Sequence, residues 1–405
     1  MQFSKEVQQT TVEFLKDLIR IPSVRGGEGP AARLACERIA PYVDECNLIQ
    51  VDDSIMDDPD YDFPLPNFTY KDTPQVEAII RGDGSGKTVV FNAHLDVVPP
   101  SEGQDDAYNP IEKDGRIYGR GAIDDKGGIA TQFAMAMMLK ENGYKPKGDI
   151  IFHFVFEEEN GGNGTLAMVR RGVKADAAVV LEPSELNIFP AVRGAVWFEL
   201  KVFGKATHSG NVSGRISAVD KAYQAIEIFR RYHDKLREES RGLPLFDDYP
   251  DPMPLTIGQF NSGNWPASVP SLAVLKGLIG FLPNKTRAEV QEELSQALKT
   301  EGDEWLRDNF ELNFNMLNND GNMLPLDHPL VKTMVDVAKE NGLSGKLDAM
   351  VGACDAWQYN NTAGIPTVVF GPGSLGVCHA KDEHIVIDDM MKAASVLTDF
   401  LAAYQ

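Results

Sequence analysis

The chain has 405 residues, of which 43% are hydrophobic and 24% charged, and its formal net charge is −21. A length beyond the roughly 250–300 residues at which single cores stop growing predicts two domains. The acidic balance disfavours nucleic acid and anionic membrane surfaces as partners, because phosphates need Lys and Arg. The four cysteines, Cys36, Cys46, Cys354 and Cys378, form no CxxC pair and no disulfide framework. They read as free thiols in a reducing compartment. With no apolar signal core at the N-terminus and no apolar run of membrane-spanning length, the expected location is cytoplasmic.

Apolar positions at Val7, Val12, Leu15, Leu18 and Ile19 predict an amphipathic helix, which Pro22 stops. Ala31 to Val43 reads as a second helix, before a proline- and aspartate-rich excursion from Asp57 to Asp72. The run from Gly82 to Thr88 imitates a phosphate-binding loop. Arg81 stands where that motif needs glycine, however, and the loop leads into a strand rather than a helix, so a plain turn is the better reading. Thr88 to Val98 is a predicted buried strand delivering His94 and Asp96 at its C-terminal end. Gly127 to Leu139 is a helix rich in Ala and Met. Asp149 to Phe156 is an apolar strand ending in Glu157, Glu158 and Glu159, Ala177 to Leu181 is another ending in Glu182, and Pro366 to Phe370 precedes Gly371-Pro372-Gly373. Strands alternating with helices imply a mainly parallel α/β sheet, and open sheets of that kind bind ligands at the carboxyl ends of their strands.

The texture changes between Ala191 and Leu317. Val196 to Phe203 alternates like a half-exposed strand, Ser217 to Arg237 reads as a long helix, and Leu255 to Phe260 and Ser271 to Phe281 as two strands. Thr286 to Leu306 is a further helix and Phe310 to Met316 a closing strand. The order βαββαβ is the ferredoxin-like split unit. The expected organisation is therefore a catalytic domain over residues 1–190, an inserted α+β domain over 191–317, and the rest of the catalytic domain over 318–405.

The acids and histidines at these strand ends suit borderline divalent metals, zinc first and cobalt second. His94 and Asp96 share one side of their strand, so the acid can orient a ligating imidazole. His153 lies mid-strand with no acid at that spacing and reads as a core histidine. Asp124 and Asp125 follow a glycine-rich turn. They read either as a bridge between cations or as a helix cap, with Asp125 nearer the cap. Glu159 as ligand and Glu158 as base use opposite sides of the chain, leaving Glu157 as a helper or as surface. The assembled sphere has His94 and Glu182 on one metal, Glu159 and His379 on the other, and Asp124 between them. An open position takes a water that Glu158 deprotonates.

These residues resemble the M20 metallopeptidase family, which includes acetylornithine deacetylase, succinyl-diaminopimelate desuccinylase, aminoacylase-1 and glutamate carboxypeptidase. The likeness runs nearly end to end. It rests on Leu18 to Ser23, His94 with Asp96, Gly119 to Gly128, Glu158-Glu159, Leu181 to Ser184, Ala206 to Gly210 and Gly371 to Glu383. The resemblance implies a zinc-exopeptidase-like catalytic domain and a ferredoxin-like lid that dimerises and swings closed. It implies His94, Asp124, Glu159, Glu182 and His379 as ligands, Glu158 as general acid/base and Asp96 as the orienter of His94. It also implies that His208 reaches the partner subunit's active site to stabilise an oxyanion.

Two segments depart from the family pattern. Cys354-Asp355-Ala356-Trp357 places Trp357 where deacylases commonly carry a carboxylate-binding Arg, and Ile279-Gly280-Phe281 lacks an Arg that relatives often show. The departures point away from strict acetylornithine or succinyl-diaminopimelate specificity. Arg193 and Arg215 are alternative carboxylate partners or plain surface residues, Trp265 and Trp357 line an apolar pocket or pack the core, and Gly373 completes the substrate-contact candidates. The resulting expectation is a homodimeric amidohydrolase that removes an N-acyl group from a small amino-acid-like substrate. Its competitors are an exopeptidase acting on short peptides and a catalytically silent metal-binding homologue.

Overall fold

The computed structural model describes residues 1, 3–210 and 213–405. The chain divides into two compact units. One comprises Met1–Ala191, Asn322–Met350 and Cys354–Gln405, and the other Val192–Gly321 with Val351–Ala353.

The first unit is built on a nine-stranded mixed sheet. At its centre Val89–His94 runs parallel to both Ile150–Val155 and Ala177–Val180, and Thr367–Val369 runs parallel to Ala177–Val180. Gln75–Ile80, Glu45–Ile49 and Ile188–Val192 add antiparallel neighbours. The central strands are buried on both faces, which explains their unbroken Val, Ile and Phe runs. Parallel pairing brings the carboxyl ends of three strands to one edge, and the chain there turns into His94, Glu157–Glu159 and Glu182.

The helix Lys126–Glu141 is buried from Lys126 to Leu139, as expected of a helix apolar on all sides. It packs between Lys5–Ile19 and Ile387–Ala403 against the sheet. Lys5–Ile19 is capped by the Ser4 hydroxyl, which accepts from Val7 N, and its buried face carries Val7, Val12, Phe14, Leu15, Leu18 and Ile19. Past Pro22, the Ser23 hydroxyl donates to the Leu95 carbonyl at 2.6 Å. The Gly82–Thr88 segment is a loop leading into the Val89–His94 strand.

The second unit has the order βαββαβ: Gly194–Phe203, Ala218–Glu239, Leu255–Ser262, Leu272–Phe281, Arg287–Glu301 and Phe310–Asn313. Its strands lie antiparallel in the spatial order second, third, first, fourth, which is the ferredoxin-like arrangement. Val196, Phe198, Leu200 and Val202 face the helices with period two, and Ala218, Ala222, Ala225, Phe229 and Leu236 answer with helical period. The second helix ends at Glu301, short of the expected Leu306.

One expectation is corrected. Cys36, on the helix Gly29–Ile39, and Cys46, on the strand Glu45–Ile49, are joined in a disulfide with Cα atoms 6.0 Å apart. Cys354 and Cys378 remain free. No motif encodes the pair, because packing of that helix against that strand is what brings the sulfurs together. Among the described residues no helix is long and apolar enough to cross a membrane.

Candidate metal centre

His94 is the last residue of its strand and is buried. Its Nδ1 lies 3.0 Å from the Asp96 carbonyl and 3.4 Å from an Asp96 carboxylate oxygen. With a proton on Nδ1, Nε2 is a lone pair facing Asp124 Oδ1 at 2.9 Å. Two acceptors at that distance require a positive charge, either a proton or a bound cation. Burial disfavours the imidazolium, but Asp96 and Asp124 outweigh it and hold the pKa well above the usual histidine value.

Asp124 precedes the helix Lys126–Glu141, and the helix cap falls to Asp125, whose side chain accepts from Gly128 N at 3.0 Å. The other Asp125 oxygen accepts the His94 main-chain N–H at 3.2 Å. Asp124 is left to face two imidazoles, with Oδ1 on His94 and Oδ2 3.2 Å from His379 Nε2. His379 Nε2 also lies 2.9 Å from Glu159 Oε1, and Glu182 Oε1 lies 3.9 Å from His94 Nε2. Two sets of donor atoms result, His94/Asp124/Glu182 and Asp124/Glu159/His379, each within 4.8 Å of one another. Asp124 belongs to both.

The electrostatics show what this arrangement lacks. Burial and the neighbouring carboxylates hold Glu182, Glu158 and Glu159 above the usual carboxylate range. Burial acts the same way on Asp124, but its hydrogen bonds to His379 and His94 prevail and lower it. Asp124 and Glu159 push the His379 ring up to about 10. Packed carboxylates out of water, balanced by two imidazoles, are short of positive charge, and N/O donor sets of this kind fit two divalent cations.

The acidic turn is held from beneath. Asp96 accepts the main-chain N–H of Glu158 at 3.2 Å and of Glu159 at 3.1 Å. Glu157, expected as a helper or as surface, is completely buried. It pairs with Arg25 and accepts from the Tyr70 hydroxyl at 2.6 Å and from Asn163 Nδ2 at 2.7 Å. Arg25 and Tyr70 are not legible as site residues in the sequence, since each meets Glu157 only through tertiary packing. Asp355 is a second buried addition. It accepts from the Thr165 hydroxyl at 2.6 Å, its carboxyl is raised to about 6 by burial, and its charge adds to that acting on Glu158 and Glu182.

The remaining candidates fall in different surroundings. In the first unit Trp357 is 2% exposed, and Gly373 has φ +79° with a Cβ position only 2.1 Å from Ile123 Cδ1, so glycine is required there. In the second unit His208 and Arg215 are exposed, and Trp265 is 69% exposed. His208 sits on a two-residue strand paired with Ser268–Val269, and its Nδ1 accepts from Gly210 N at 3.1 Å. Arg193 is half-buried, donates to the carbonyls of Val351 and Gly194, and is lowered to about 10 by burial. His153 is a core histidine whose Nδ1 lies 2.8 Å from the Tyr359 hydroxyl.

An acid-rich edge of this kind on an α/β sheet, with an inserted α+β unit, belongs with hydrolases of linear amides. The comparison with known families agrees: the model for Peptidase family M20/M25/M40 matches residues 90–403, and the chain belongs to that family. It is 28% identical over 365 residues to the N-formyl-4-amino-5-aminomethyl-2-methylpyrimidine deformylase of Bacillus subtilis strain 168, covering 83% of this chain and 84% of the relative. It is 27% identical over 334 residues to the acetylornithine deacetylase of Myxococcus xanthus, covering 81% and 83%. A tripeptidase from Staphylococcus aureus subsp. aureus mu50 shares the fold, with a TM-score of 0.77 at 20% identity and 97% of both chains covered.

Proposed function

We propose that this enzyme is a dinuclear-metal amidohydrolase that removes an N-acyl group from a small amino-acid-like amine. The observation that carries the reading is Asp124, shared by two donor sets with the acidic turn of Glu158 alongside. His94 and Glu182 would hold one ion and Glu159 and His379 the other, with Asp124 common to both donor sets. Zinc fits the mixed imidazole and carboxylate donors best, with cobalt second. Two such ions supply Lewis acidity to the scissile carbonyl and lower the pKa of a water. With those ions bound, Glu158, on the turn that Asp96 holds, would take that water's proton and return it to the leaving nitrogen. Asp96 holds His94 and the acidic turn in register.

Residues 191–317 act as the lid and dimerisation domain between the catalytic segments 1–190 and 318–405, in a homodimer. Exposed Tyr223, Phe260 and Leu272 on the second unit support an interface there. Closure brings His208 to the partner's oxyanion. Deacylation is favoured over exopeptidase action by the deformylase and deacetylase relatives. The full donor set together with Glu158 speaks against a silent homologue.

The test is amine release from N-formyl, N-acetyl and N-succinyl amino acids and from dipeptides, with zinc or cobalt, in wild type and Glu158→Gln. Metal-dependent turnover of N-acyl substrates, lowered about 10²- to 10⁴-fold in the variant while both ions stay bound, is expected. Turnover of dipeptides alone would replace this reading with the exopeptidase. Two bound ions with no turnover of any substrate would favour the silent homologue.

A further inference from the structure

Arg120 offers no atom to a metal, yet it ties together the loops that carry two of the donor residues. Its side chain is 1% exposed. Nη1 pairs with Glu383, which is equally buried. Nη2 donates to Ser101 Oγ at 3.1 Å, to Gln104 Oε1 at 3.1 Å and to the main-chain carbonyl of His379 at 3.3 Å. The Ser101 hydroxyl donates to the same His379 carbonyl at 2.7 Å. On the other side, Glu383 Oε1 accepts the main-chain N–H of Ile123, the residue before Asp124, at 3.3 Å. The Glu383 carbonyl accepts Gly119 N–H at 3.1 Å.

His379 needs such support. Its backbone is left-handed, with φ +59°, a conformation a side-chain-bearing residue keeps only when its surroundings fix it. Its ring is 49% exposed, so packing does little to aim it. The direction of Nε2 toward Glu159 and Asp124 therefore follows from the peptide that Arg120 and Ser101 grip. Lysine could not replace this grip, because one ammonium lacks the planar fork that reaches a carboxylate on one nitrogen and three oxygens on another.

We propose that Arg120 and Glu383 are positioning residues for the Asp124/Glu159/His379 cation site, fixing His379 directly and the Asp124 turn through Ile123. The inference rests on the dinuclear reading above. His94 and Glu182 stand on strand ends that Arg120 does not touch, so the ion they hold, which shares only Asp124 with this site, responds less to its loss.

The test titrates metal-free protein with Co²⁺, following visible absorption and native mass, in wild type, Arg120→Lys, Glu383→Gln and His379→Ala. Wild type is expected to take two ions. Arg120→Lys and Glu383→Gln each weaken one of them about 10- to 100-fold, the range for residues that orient ligands. That ion is the one lost in His379→Ala, while the ion held by His94 and Glu182 weakens less, through the shared Asp124 alone. Should Arg120→Lys fail to fold, Glu383→Gln carries the test, since it keeps the shape and removes only the charge. Wild-type affinity for both ions in the folded variants would overturn the proposal. So would equal weakening of both ions with a matching fall in the metal-free melting temperature. Fewer than two ions in wild type would instead overturn the dinuclear reading.

Discussion

One carboxylate oxygen of Asp96 accepts the main-chain N–H of Glu159 at 3.1 Å, so the acid expected to orient His94 also fixes the turn that carries the second donor set. Its other oxygen takes the Glu158 N–H, and its carbonyl faces His94 Nδ1. Asp96→Ala leaves two N–H groups in the turn without an acceptor, at a cost of about 1–3 kcal/mol. Metal affinity falls about 10- to 100-fold in the same variant. Asp96→Asn, which keeps one acceptor oxygen, lies between it and wild type. Urea unfolding of the metal-free proteins and chelator competition measure the two effects separately. Loss of affinity with unchanged stability would confine Asp96 to His94.

Arg25 and Tyr70 together neutralise and bind the buried Glu157. Removing one partner of a buried ion pair costs about 3–5 kcal/mol, so Arg25→Ala is strongly destabilising. Tyr70→Phe removes one hydrogen bond to a charged acceptor and costs about 1.5–3 kcal/mol. Both variants also lower turnover, because Glu157 adjoins Glu158. Urea midpoints rank them. A Tyr70→Phe protein as stable as wild type would mean that water replaces the hydroxyl.

The strand ends are legible in the sequence because runs of Val, Ile and Phe, long enough for a buried strand, stop at once in His or Glu. Parallel pairing then places those ends at one edge. The split βαββαβ unit is legible from the alternation of Val196 to Phe203 and the two long amphipathic helices. The supports of the site are not. Arg25 reaches Glu157 across 132 positions and Arg120 reaches Glu383 across 263, and no local pattern encodes such pairings. His153 shows the same limit. Its acidic neighbour Glu77 stands directly opposite on the adjoining strand, visible only once the register is known.

Glu28 gives the stability a definite pH dependence. It is 1% exposed, and burial, then the charges of Asp96 and Glu157, push its carboxyl up to about 9. The folded state thus keeps a proton that the unfolded chain loses near the ordinary glutamate value. The contribution of Glu28 to stability is fully present below that value and is lost as pH rises toward 9. The loss approaches about 1.4 kcal/mol per pH unit within that window. Glu28→Gln removes the slope, so the variant gains on wild type as pH rises from 5 to 9. Denaturant unfolding at pH 5, 7 and 9 tests this, and a constant difference would mean that the carboxylate is ionised in the fold.

Metal binding must displace protons, because His379 is held up to about 10 and the His94 ring is also raised, while burial holds the Glu182 carboxyl above its usual range. The ligating forms are the neutral imidazole and the carboxylate, so affinity rises with pH through the neutral range. Filling both sites at pH 7 is expected to release more than one proton. Calorimetric titration of the metal-free protein with zinc, in buffers of differing ionisation enthalpy, counts them. Saturating zinc also stabilises the fold, by about 2.7 kcal/mol at a hundredfold excess over Kd for one site, so a chelator lowers the melting temperature. His379→Ala should release fewer protons than wild type, as its ring carries one of those displaced. An unchanged count would place the displaced proton on the carboxylates and remove His379 from the site.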